Sequence, residues 1–440
     1  MKEQKSIAQT KLTRAASLAK AGAQIGVNYA RHNTRKALKG DADKAELDRR
    51  NAEVTYDTFS KLKGGPLKVA QMLSIDKNLL PAPYADKFQE SYYSAPPLSY
   101  PLVVQTFQRE LGKGPTAIFE SFSQKAVAGA SIGQVHRARK DGREYAVKVQ
   151  YPGVAKSLKS DLEMVKPLAG RLFNLDLVAL APYFQEVEAR LMEETDYELE
   201  MRRSQELTER TRGQVDIEFP RYYPELSSKR ILTMDWVDGV PLDKWIDSNP
   251  SQEDRDRIGQ NLWDFINFQV HELRHFHADP HPGNFLIKDN QLWALDFGCV
   301  KSVDDTFYRN YFALMDNVRV NNPVDFQRML SDLDLLRPGD TPELRERLAE
   351  VYYGSVQILS KPYQVDRFDF GDEGYMQSIY DYNEDVRNDK TVEKITSSRG
   401  DANAIYINRA FFGLYTLVTR MKARVRARLP GFLVSEPVLA

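Results

Sequence analysis

The sequence has a single cysteine, Cys299, among 440 residues, and this excludes an internal disulfide framework. It also has almost no net charge, because 61 Lys and Arg balance 62 Asp and Glu to leave −1. No field of one sign therefore covers the protein, and nothing in the charge balance points to nucleic acid as a partner. Cys299 itself is interpreted as a small buried apolar residue rather than a low-pKa nucleophile.

Long hydrophobic runs are absent too, since no uncharged stretch approaches the roughly 20 residues that span a bilayer. The N-terminal segment lacks the apolar core of a signal peptide, because Lys5, Lys11, Arg14 and Lys20 interrupt it. With 42% hydrophobic and 28% charged residues, the composition is that of a soluble globular protein. We therefore expect a cytoplasmic protein, with peripheral contact to a membrane left open.

Residues 1–40 carry nine Lys or Arg against one acid, Glu3. Apolar residues at helical spacing, among them Leu18, Ala21 and Ile25, can share one face of a helix. Such a basic amphipathic helix could lie on an anionic membrane surface. It could equally pack its apolar stripe on the rest of the protein and leave the basic face in solvent.

The stretch 277–298, HADPHPGNFLIKDNQLWALDFG, holds polar residues with a spacing that suits chemistry on a metal-bound phosphate. Two short apolar runs flank the turn-like Lys288, Asp289 and Asn290, which predicts a tight β-hairpin. A hairpin brings Asn284 and Asp296 together at its open end, where an amide oxygen and a carboxylate can hold one Mg²⁺. Asp279 then lies beside the metal as the candidate base. This is the order of a kinase catalytic loop followed by D-F-G.

Residues 126–149 predict a strand, a small-residue turn, a second strand, and a D-G turn into the strand that contains Lys148. Small residues let backbone N–H groups approach phosphates, and a Lys in the V-x-K-x position can reach the α- and β-phosphates. The loop lacks G-x-G-x-x-G, and taken alone the strand could be an ordinary one with an exposed Lys.

The acid-rich segment 186–204 predicts a helix that supplies a carboxylate. Glu200 could pair with Lys148, while Glu194 and Asp196 could serve in the site instead. Residues 230–239 then read as an apolar strand that ends in Asp-Gly, the form of a kinase hinge, with Met234 and Val237 beside the adenine.

Further patterns predict helices, one of them with Ser251 as its N-cap, over 249–271, 307–318, 323–333, 342–359 and 404–425. Lys68 and Gln71 lie three apart near the start of another helix and share a face. Four of the six histidines, His271, His275, His277 and His281, fall close enough together to allow a zinc site as a weaker alternative.

With these residues in view, the chain resembles the UbiB/ADCK family of atypical protein-kinase-like proteins, which is linked to ubiquinone and other isoprenoid-lipid biosynthesis. The resemblance covers residues 60–300 well and the ends loosely. It depends on the motifs LKVAQMLS, AGASIGQVH, AVKVQYPGV, ETDYELE and HADPHPGNF, together with DFG.

The resemblance implies an α+β, bilobal, protein-kinase-like fold with a helical N-terminal extension (1–113) packed over the active site, an N-lobe (114–238) and a mainly helical C-lobe (239–440). It implies that ATP and Mg²⁺ are bound and assigns the site residues. Catalysis would involve Lys148 and Asp279, and Asn284 and Asp296 would bind the metal. The nucleotide would contact Ala128, Gly129, Ala130, Ser131, Lys148, Glu200, Met234 and Val237, with Lys68, Gln71, Glu194 and Asp196 as family-specific residues of the extension and its surroundings.

Two positions depart from the family pattern. Ala70 replaces the Gly before Gln71, and Gly129 replaces the middle alanine of the loop, which bears on the preference between ATP and ADP. No A-P-E motif follows Gly298 closely, so protein phosphorylation is disfavoured.

The function expected from the resemblance is an ATPase or a kinase acting on a small molecule or lipid, with a lipid or quinone-precursor ligand and biosynthetic protein partners. The alternatives are a nucleotide-dependent scaffold with little turnover and, less favoured, a protein kinase.

Overall fold

The fold is described from a computed structural model, which covers residues 11–39, 43–62, 66, 83–84, 87, 99–129, 132–173, 177–178, 181–278, 280–393 and 399–433. It has the mixed α+β character expected of a protein-kinase-like fold. The chain divides into two units, the first made of Met1–Arg202 with Pro220–Val237 and the second of Arg203–Phe219 with Asp238–Ala440. The three-part division expected from the resemblance stays a prediction.

The first unit is built on an antiparallel sheet in the order β1, β3, β4, β5, with β2 also paired to β3. Its strands are β1 Ser121–Phe122, β2 Ala128–Gly129, β3 Gly133–Lys140, β4 Arg143–Gln150 and β5 Ile231–Asp235. The helices before β5 in the chain are α1 Lys11–Lys39, α2 Lys44–Leu62, α3 Tyr100–Leu111, α4 Pro115–Ile118, α5 Val154–Phe173, α6 Ala181–Glu194 and α7 Tyr197–Thr211.

Both faces of β4 are buried from Tyr145 onward, after an exposed start at Arg143 and Glu144. Side chains alternate between the faces of a strand. Val147 and Val149 therefore pack into a cluster with Phe107 of α3. Ala146 belongs to a second cluster on helices α1, α2 and α5. Lys148 is two positions from Ala146, so its side chain points to the same face of the sheet as that of Ala146.

The amphipathic helix α1 buries its apolar stripe within the first unit. Leu18, Ala21 and Ile25 are at most 7% exposed, while the basic residues Lys20, Arg31, Arg35 and Lys36 are exposed. Arg14 is the exception among the basic residues, since it is buried and donates to both carboxylate oxygens of Asp161 on α5 at 2.6 and 2.7 Å. The apolar stripe thus packs on the rest of the protein, which was one of the two alternatives considered from the sequence. Contact of residues 1–40 with a membrane stays a prediction.

The second unit is mainly helical around one large apolar core. Its helices are α8 Leu242–Asp247, α9 Gln252–Phe268, α10 Asp305–Phe312, α11 Asn317–Val320, α12 Pro323–Asp332, α13 Pro342–Leu359, α14 Glu373–Asn388, α15 Lys390–Glu393 and α16 Ala402–Arg420. Its strands are β6 Val240–Pro241, β7 His275–His277, β8 Phe285–Lys288, β9 Gln291–Ala294, β10 Val300–Ser302, β11 Phe368–Asp369 and β12 Arg424–Val425, forming the small sheets β6-β8-β9, β7-β10 and β11-β12.

Several predicted helices are confirmed, and others have different bounds. Ser251 caps α9 by accepting from the N–H of Asp254, and the helix predicted over 342–359 has those bounds in the structure. The helix predicted over 307–318 is broken after Phe312, and that over 186–204 is interrupted at Thr195 and Asp196. The last helix ends at Arg420 rather than 425, because buried and exposed residues alternate from Met421 onward and the segment pairs as a strand.

No helix in the described ranges combines the length and the apolarity needed to cross a bilayer.

The buried pair between α1 and α5 provides a test of this packing. Asp161→Asn removes the negative charge to which the buried Arg14 guanidinium donates, so we expect the free energy of unfolding to fall by about 3–5 kcal/mol in urea titrations. Glu46→Gln removes the partner of Arg50 in an exposed pair on α2 and should leave the unfolding midpoint unchanged. Equal effects of the two substitutions would contradict the packing of α1 described here.

Candidate functional site

The first unit contributes a buried lysine on the central strand of its sheet. Lys148 lies on β4 between Val135 of β3 and Leu232 of β5, and its side chain is 9% exposed. Its Nζ donates to Oε1 of Glu200 at 2.8 Å and lies 5.0 Å from the centre of the Tyr197 ring. A buried ammonium needs a counter-charge, and Glu200 supplies it. Of the three carboxylates considered from the sequence, Glu200 is the one for which a bond to Lys148 is observed.

The start of helix α7 is held in place by several contacts, and these position Glu200 in the first turn. Asp196 caps the helix by accepting from the N–H of Leu199 at 3.1 Å. The N–H of Tyr197 donates to the carbonyl of Lys229, just before β5, at 3.0 Å. Gln150, at the end of β4, donates to the carbonyl of Thr195. The helix is therefore tied to β4, the strand of Lys148, and to the residue Lys229 just before β5.

The two other acids considered from the sequence, Glu194 and Asp196, come just before α7 in the chain. Asp196 is partly exposed, caps α7 and forms an ion pair with Lys229 at 3.2 Å. Glu194 is the last residue of α6 and is partly exposed. The structure thus gives Asp196 a capping role, while the family-specific role of both acids stays a prediction.

The small-residue loop is anchored where it enters β3. Ala128 and Gly129 form β2, are exposed, and pair with Val135 and Gln134. At Gly133 a Cβ would come within 2.6 Å of the Tyr197 hydroxyl and 2.7 Å of the Val149 carbonyl oxygen, so only glycine fits. The remaining loop residues, Ala130 and Ser131, lie outside the described residues.

The predicted hinge follows β5. Met234 pairs with Ala146 of β4 and is buried, and Val237, two residues after the strand ends, is buried as well. Asp235 accepts from the Tyr223 hydroxyl at 2.7 Å and from the N–H of Arg221 at 3.0 Å. The strand and its end are therefore firmly held, and the assignment to adenine stays a prediction.

The second unit contributes the predicted hairpin, which is confirmed. Strands β8 and β9 pair antiparallel around Asp289 and Asn290, whose φ angles of 50° and 62° form the turn. At the open end, the N–H of Leu295 donates to the carbonyl of Asn284 at 2.9 Å. Asp296 follows directly, so an amide and a carboxylate stand at the same end of the hairpin.

The D-F-G segment is fixed by its central residue. Phe297 is fully buried and packs against Phe219, Phe265 and His277. Its neighbour Asp296 accepts from the N–H of Gly298 through Oδ1 at 2.7 Å and is partly exposed. The apolar ring thus anchors the segment while the carboxylate stays accessible to a ligand.

The approach to the catalytic loop is anchored from three sides. Strand β7 pairs with β10, and the N–H of Ala278 donates to the carbonyl of Cys299 at 2.8 Å. The buried side chain of Gln269 accepts from the N–H of His277 at 2.9 Å. Pro280 packs so closely on α16 that a Cβ on Gly413 would lie 2.6 Å from its ring. Asp279 itself lies outside the described residues, and its role as base stays a prediction.

Sequence reasoning did not assign Gln269, Tyr197, Gly133 or Gly413, all of which position site residues. Gln269 begins a π-helical turn, Gln269–Leu273, at the end of α9. Such turns are frequent at functional sites, but the sequence offers no clear signal for them. The only signal available for Tyr197 and Gly133 was their position inside the motifs TDYELE and SIGQVH.

The four clustered histidines have separate contacts. Nδ1 of His271 bonds the Tyr308 hydroxyl, and Nδ1 of His275 bonds the Ser302 hydroxyl. His281 accepts from the N–H of Gly283, and His277 packs against Phe297. In the ranges that the structure covers, no group of three or more His, Cys, Asp or Glu could hold a metal ion. The zinc alternative gains no support from these contacts.

Lys68 and Gln71 lie outside the described residues, so their predicted place over the site stays a prediction.

The class of protein is protein-kinase-like. It is defined by a strand lysine paired with a helix glutamate, together with an H-x-D loop, Asn284 and a hairpin leading to D-F-G. A sequence model of the ABC1 atypical kinase-like domain matches residues 92–329, more than half of the chain. The chain therefore belongs to the ABC1 family of atypical kinase-like proteins, which agrees with the resemblance to the UbiB/ADCK family.

Individual relatives support this assignment. The chain is 30% identical to the probable serine/threonine-protein kinase abkA of Dictyostelium discoideum, over 71% of this chain and 57% of the relative. It is 30% identical to the mitochondrial atypical kinase COQ8B of Danio rerio, over 77% of this chain and 54% of the relative. It thus spans little more than half the length of these curated relatives. Among solved structures, the Rv3197–erythromycin complex of Mycobacterium tuberculosis matches with a TM-score of 0.60 and 26% identity, covering 89% of this chain and 98% of the other.

The ion pair on β4 can be tested by a double-mutant cycle. Glu200→Leu removes the carboxylate to which the buried Lys148 ammonium donates, and we expect the free energy of unfolding to fall by about 3–5 kcal/mol. Adding Lys148→Met removes the charge and should recover most of that loss. The control is Glu144→Leu, on the same strand as Lys148. It breaks an exposed ion pair with Arg137 of β3 and should change the unfolding midpoint little. A double variant less stable than Glu200→Leu alone would refute this account.

His271 gives the second unit a characteristic pH dependence. Burial lowers the pKa of His271 to about 3, whereas in the unfolded chain it has its ordinary value of 6.5. Below that ordinary value the unfolded chain takes up a proton that the folded protein does not, so stability is lost as the pH falls from 6.5 towards 3.

We therefore expect the unfolding free energy of the native sequence to fall more steeply with decreasing pH than that of His271→Phe, by about 1.4 kcal/mol per unit below pH 6. Urea titrations at a series of pH values measure both slopes, which should coincide above pH 7. Parallel curves throughout would show that His271 does not stay neutral in the fold.

Proposed function

We propose that this chain is an Mg²⁺-dependent ATPase or phosphotransferase that transfers the terminal phosphoryl group of ATP to a small molecule, a lipid or water. Its role would be in isoprenoid-quinone or lipid metabolism. The link to quinones comes from the UbiB/ADCK resemblance and from relatives such as the mitochondrial atypical kinase COQ8B.

The observation that carries the proposal is the hairpin end at which Asn284 and Asp296 stand together. Asn284 and Asp296 are twelve residues apart in the chain. The backbone hydrogen bond from Leu295 to Asn284 nevertheless keeps the two residues close together in space. One amide oxygen and one carboxylate are hard oxygen donors, the type that Mg²⁺ prefers, and phosphate and water would complete its shell. When bound, Mg²⁺ would neutralise charge on the phosphates.

The remaining residues would position the reactants. Lys148, kept in place by Glu200, would bind the α- and β-phosphates, and Ala128 to Ser131 would cover them through backbone N–H groups. Met234 and Val237 would contact the adenine. Asp279 would orient the acceptor hydroxyl or water and accept its proton as the new phosphorus–oxygen bond forms and ADP leaves. Most of the rate would come from this positioning and from charge stabilisation.

The segment after D-F-G supports a small acceptor rather than a peptide. Strand β10 begins at Val300 and pairs back onto β7, and Asp304 already caps α10. A protein kinase uses a longer segment here to present its peptide, so protein phosphorylation is disfavoured.

The proposal is tested by ATP binding and phosphate release with the intact protein and with Asp296→Asn, in the presence and absence of Mg²⁺ and of lipid or detergent. We expect Asp296→Asn to lose Mg²⁺-dependent binding and to lower turnover at least about 100-fold, the scale on which one charge-stabilising group acts.

Asp289→Asn is the matched control, because it makes the same chemical change at the turn of the same hairpin. Its positive φ suits asparagine, so turnover should be unchanged. Tight nucleotide binding without turnover under every condition would replace the enzyme proposal by the nucleotide-dependent scaffold. An absence of nucleotide binding would refute both.

A further inference from the structure

A cavity of about 390 Å³ lies within the second unit, away from the D-F-G hairpin in the sequence. Its walls come from the end of α10 and the turn after it, the loop after α12, and helices α13, α14 and α16. Protein interiors are close-packed and rarely hold voids much larger than a water molecule. This volume falls instead in the range of small-molecule pockets, roughly 300–1,000 Å³.

Among the described residues, the lining is mostly apolar. Most of these side chains are aromatic or aliphatic, and no Lys, Arg or His is among them. The one charged residue of the described lining, Asp401, uses its carboxylate to cap α16 by accepting from the N–H of Asn403 at 2.7 Å. A phosphate or carboxylate placed here would lose its hydration without gaining a counter-charge, which is strongly unfavourable. The pocket therefore suits a neutral ligand.

Tyrosine hydroxyls tie the walls to one another. Tyr415 of α16 donates to the carbonyl of Leu359 at 3.0 Å, and Tyr382 of α14 donates to the carbonyl of Val351 at 2.7 Å. Tyr311 donates to the side-chain oxygen of Asn408. Burial raises the pKa of Tyr311 and of Tyr415, so both hydroxyls stay neutral. The walls are thus preformed, and their polar groups are largely committed to each other.

The amide of Asn408 provides a polar group for orienting a ligand. Its oxygen accepts from Tyr311, which leaves the amide N–H groups as donors beside the cavity. An amide donor in a mostly apolar surrounding favours a ligand that carries an oxygen or nitrogen acceptor.

The edge of the cavity is also held firmly. Arg399 donates to both carboxylate oxygens of Asp340 at 2.6 and 2.8 Å and to the carbonyl of Leu335, in a pair that is at most 10% exposed. Gly400, with a φ of 84°, packs where a Cβ would lie 2.9 Å from Leu335. Both Gly400 and Leu335 line the cavity, so the ion pair holds the backbone of this part of the wall.

We propose that this cavity is a binding site for a neutral, largely apolar small molecule that carries a ring or an aliphatic chain and at most one or two polar atoms. The inference goes beyond the proposed function and does not require phosphoryl transfer.

The test uses two fluorescent probes that share one ring skeleton. N-phenyl-1-naphthylamine is neutral, and 1-anilinonaphthalene-8-sulfonate adds a sulfonate. We expect the neutral probe to bind the full chain saturably at one site, and the sulfonate to bind at least about tenfold more weakly because the described residues of the lining include no cation. No nucleotide is present, so the outcome is independent of whether the chain hydrolyses ATP.

Two variants fill the cavity from different walls. Ala404→Phe on α16 and Ser355→Phe on α13 should each weaken binding of the neutral probe at least about tenfold. Their matched controls are Ile405→Phe, at a position that is 39% exposed on the same helix, and Ser331→Phe, at an exposed position on α12. Both controls should bind the probe as the native sequence does.

Circular dichroism and the unfolding midpoint identify any variant that fails to fold. If one of the two filled variants does not fold, probe binding by the other one decides the test. Equal binding of the neutral probe by the filled variants and the controls, equal affinity for the two probes, or no binding to the native sequence would each overturn the proposal.

Discussion

The cost of burying a charge governs the arrangement of the first unit. Lys148 lies in the middle of a sheet whose two faces are both covered, so its ammonium group is stable only beside a carboxylate. The neighbouring contacts serve to deliver that carboxylate: the cap by Asp196, the bond from Gln150, and the backbone bond to Lys229 all fix the first turn of α7. The lysine and glutamate that we propose to orient phosphates therefore also determine how a strand and a helix pack.

In the second unit, the polar side chains of Asn284 and Asp296 stay partly exposed on a rigid support. Phe297 is sunk into an aromatic core, and the hairpin of β8 and β9 is closed by backbone bonds. Asn284 and Asp296 would consequently need little further ordering in the metal site that we propose, because the hairpin backbone that joins them is already held. Preorganisation of this kind is what gives fixed charges their effect in catalysis.

Local signals in the sequence were sufficient where local interactions decide the structure. The hairpin follows from two apolar runs around Asp289 and Asn290, residues that tolerate a positive φ, and the start of α9 follows from the capping preference of Ser251. The pairing of Glu200 with Lys148 could be proposed but not chosen over Glu194 and Asp196, since that choice depends on where α7 begins.

Tertiary contacts decided the remaining features. The break at Thr195 and Asp196 depends on bonds to Gln150 and Lys229, which are distant in sequence. The end of α16 depends on a strand partner, β11, that periodicity alone did not reveal. The cavity arises from helices that each look like ordinary core helices, so the sequence gives no sign of the space between them.

The contact between Gly413 and Pro280 has a consequence for the order of events during synthesis. Pro280 lies beside the predicted base Asp279, yet the surface on which it rests belongs to α16, far later in the chain. A ribosome delivers the catalytic loop long before it delivers this helix, and domains made from the N-terminus fold as their partners emerge. The nascent protein can thus acquire its hairpin early and its finished loop late, so premature termination before α16 would yield a chain without this support for its catalytic loop.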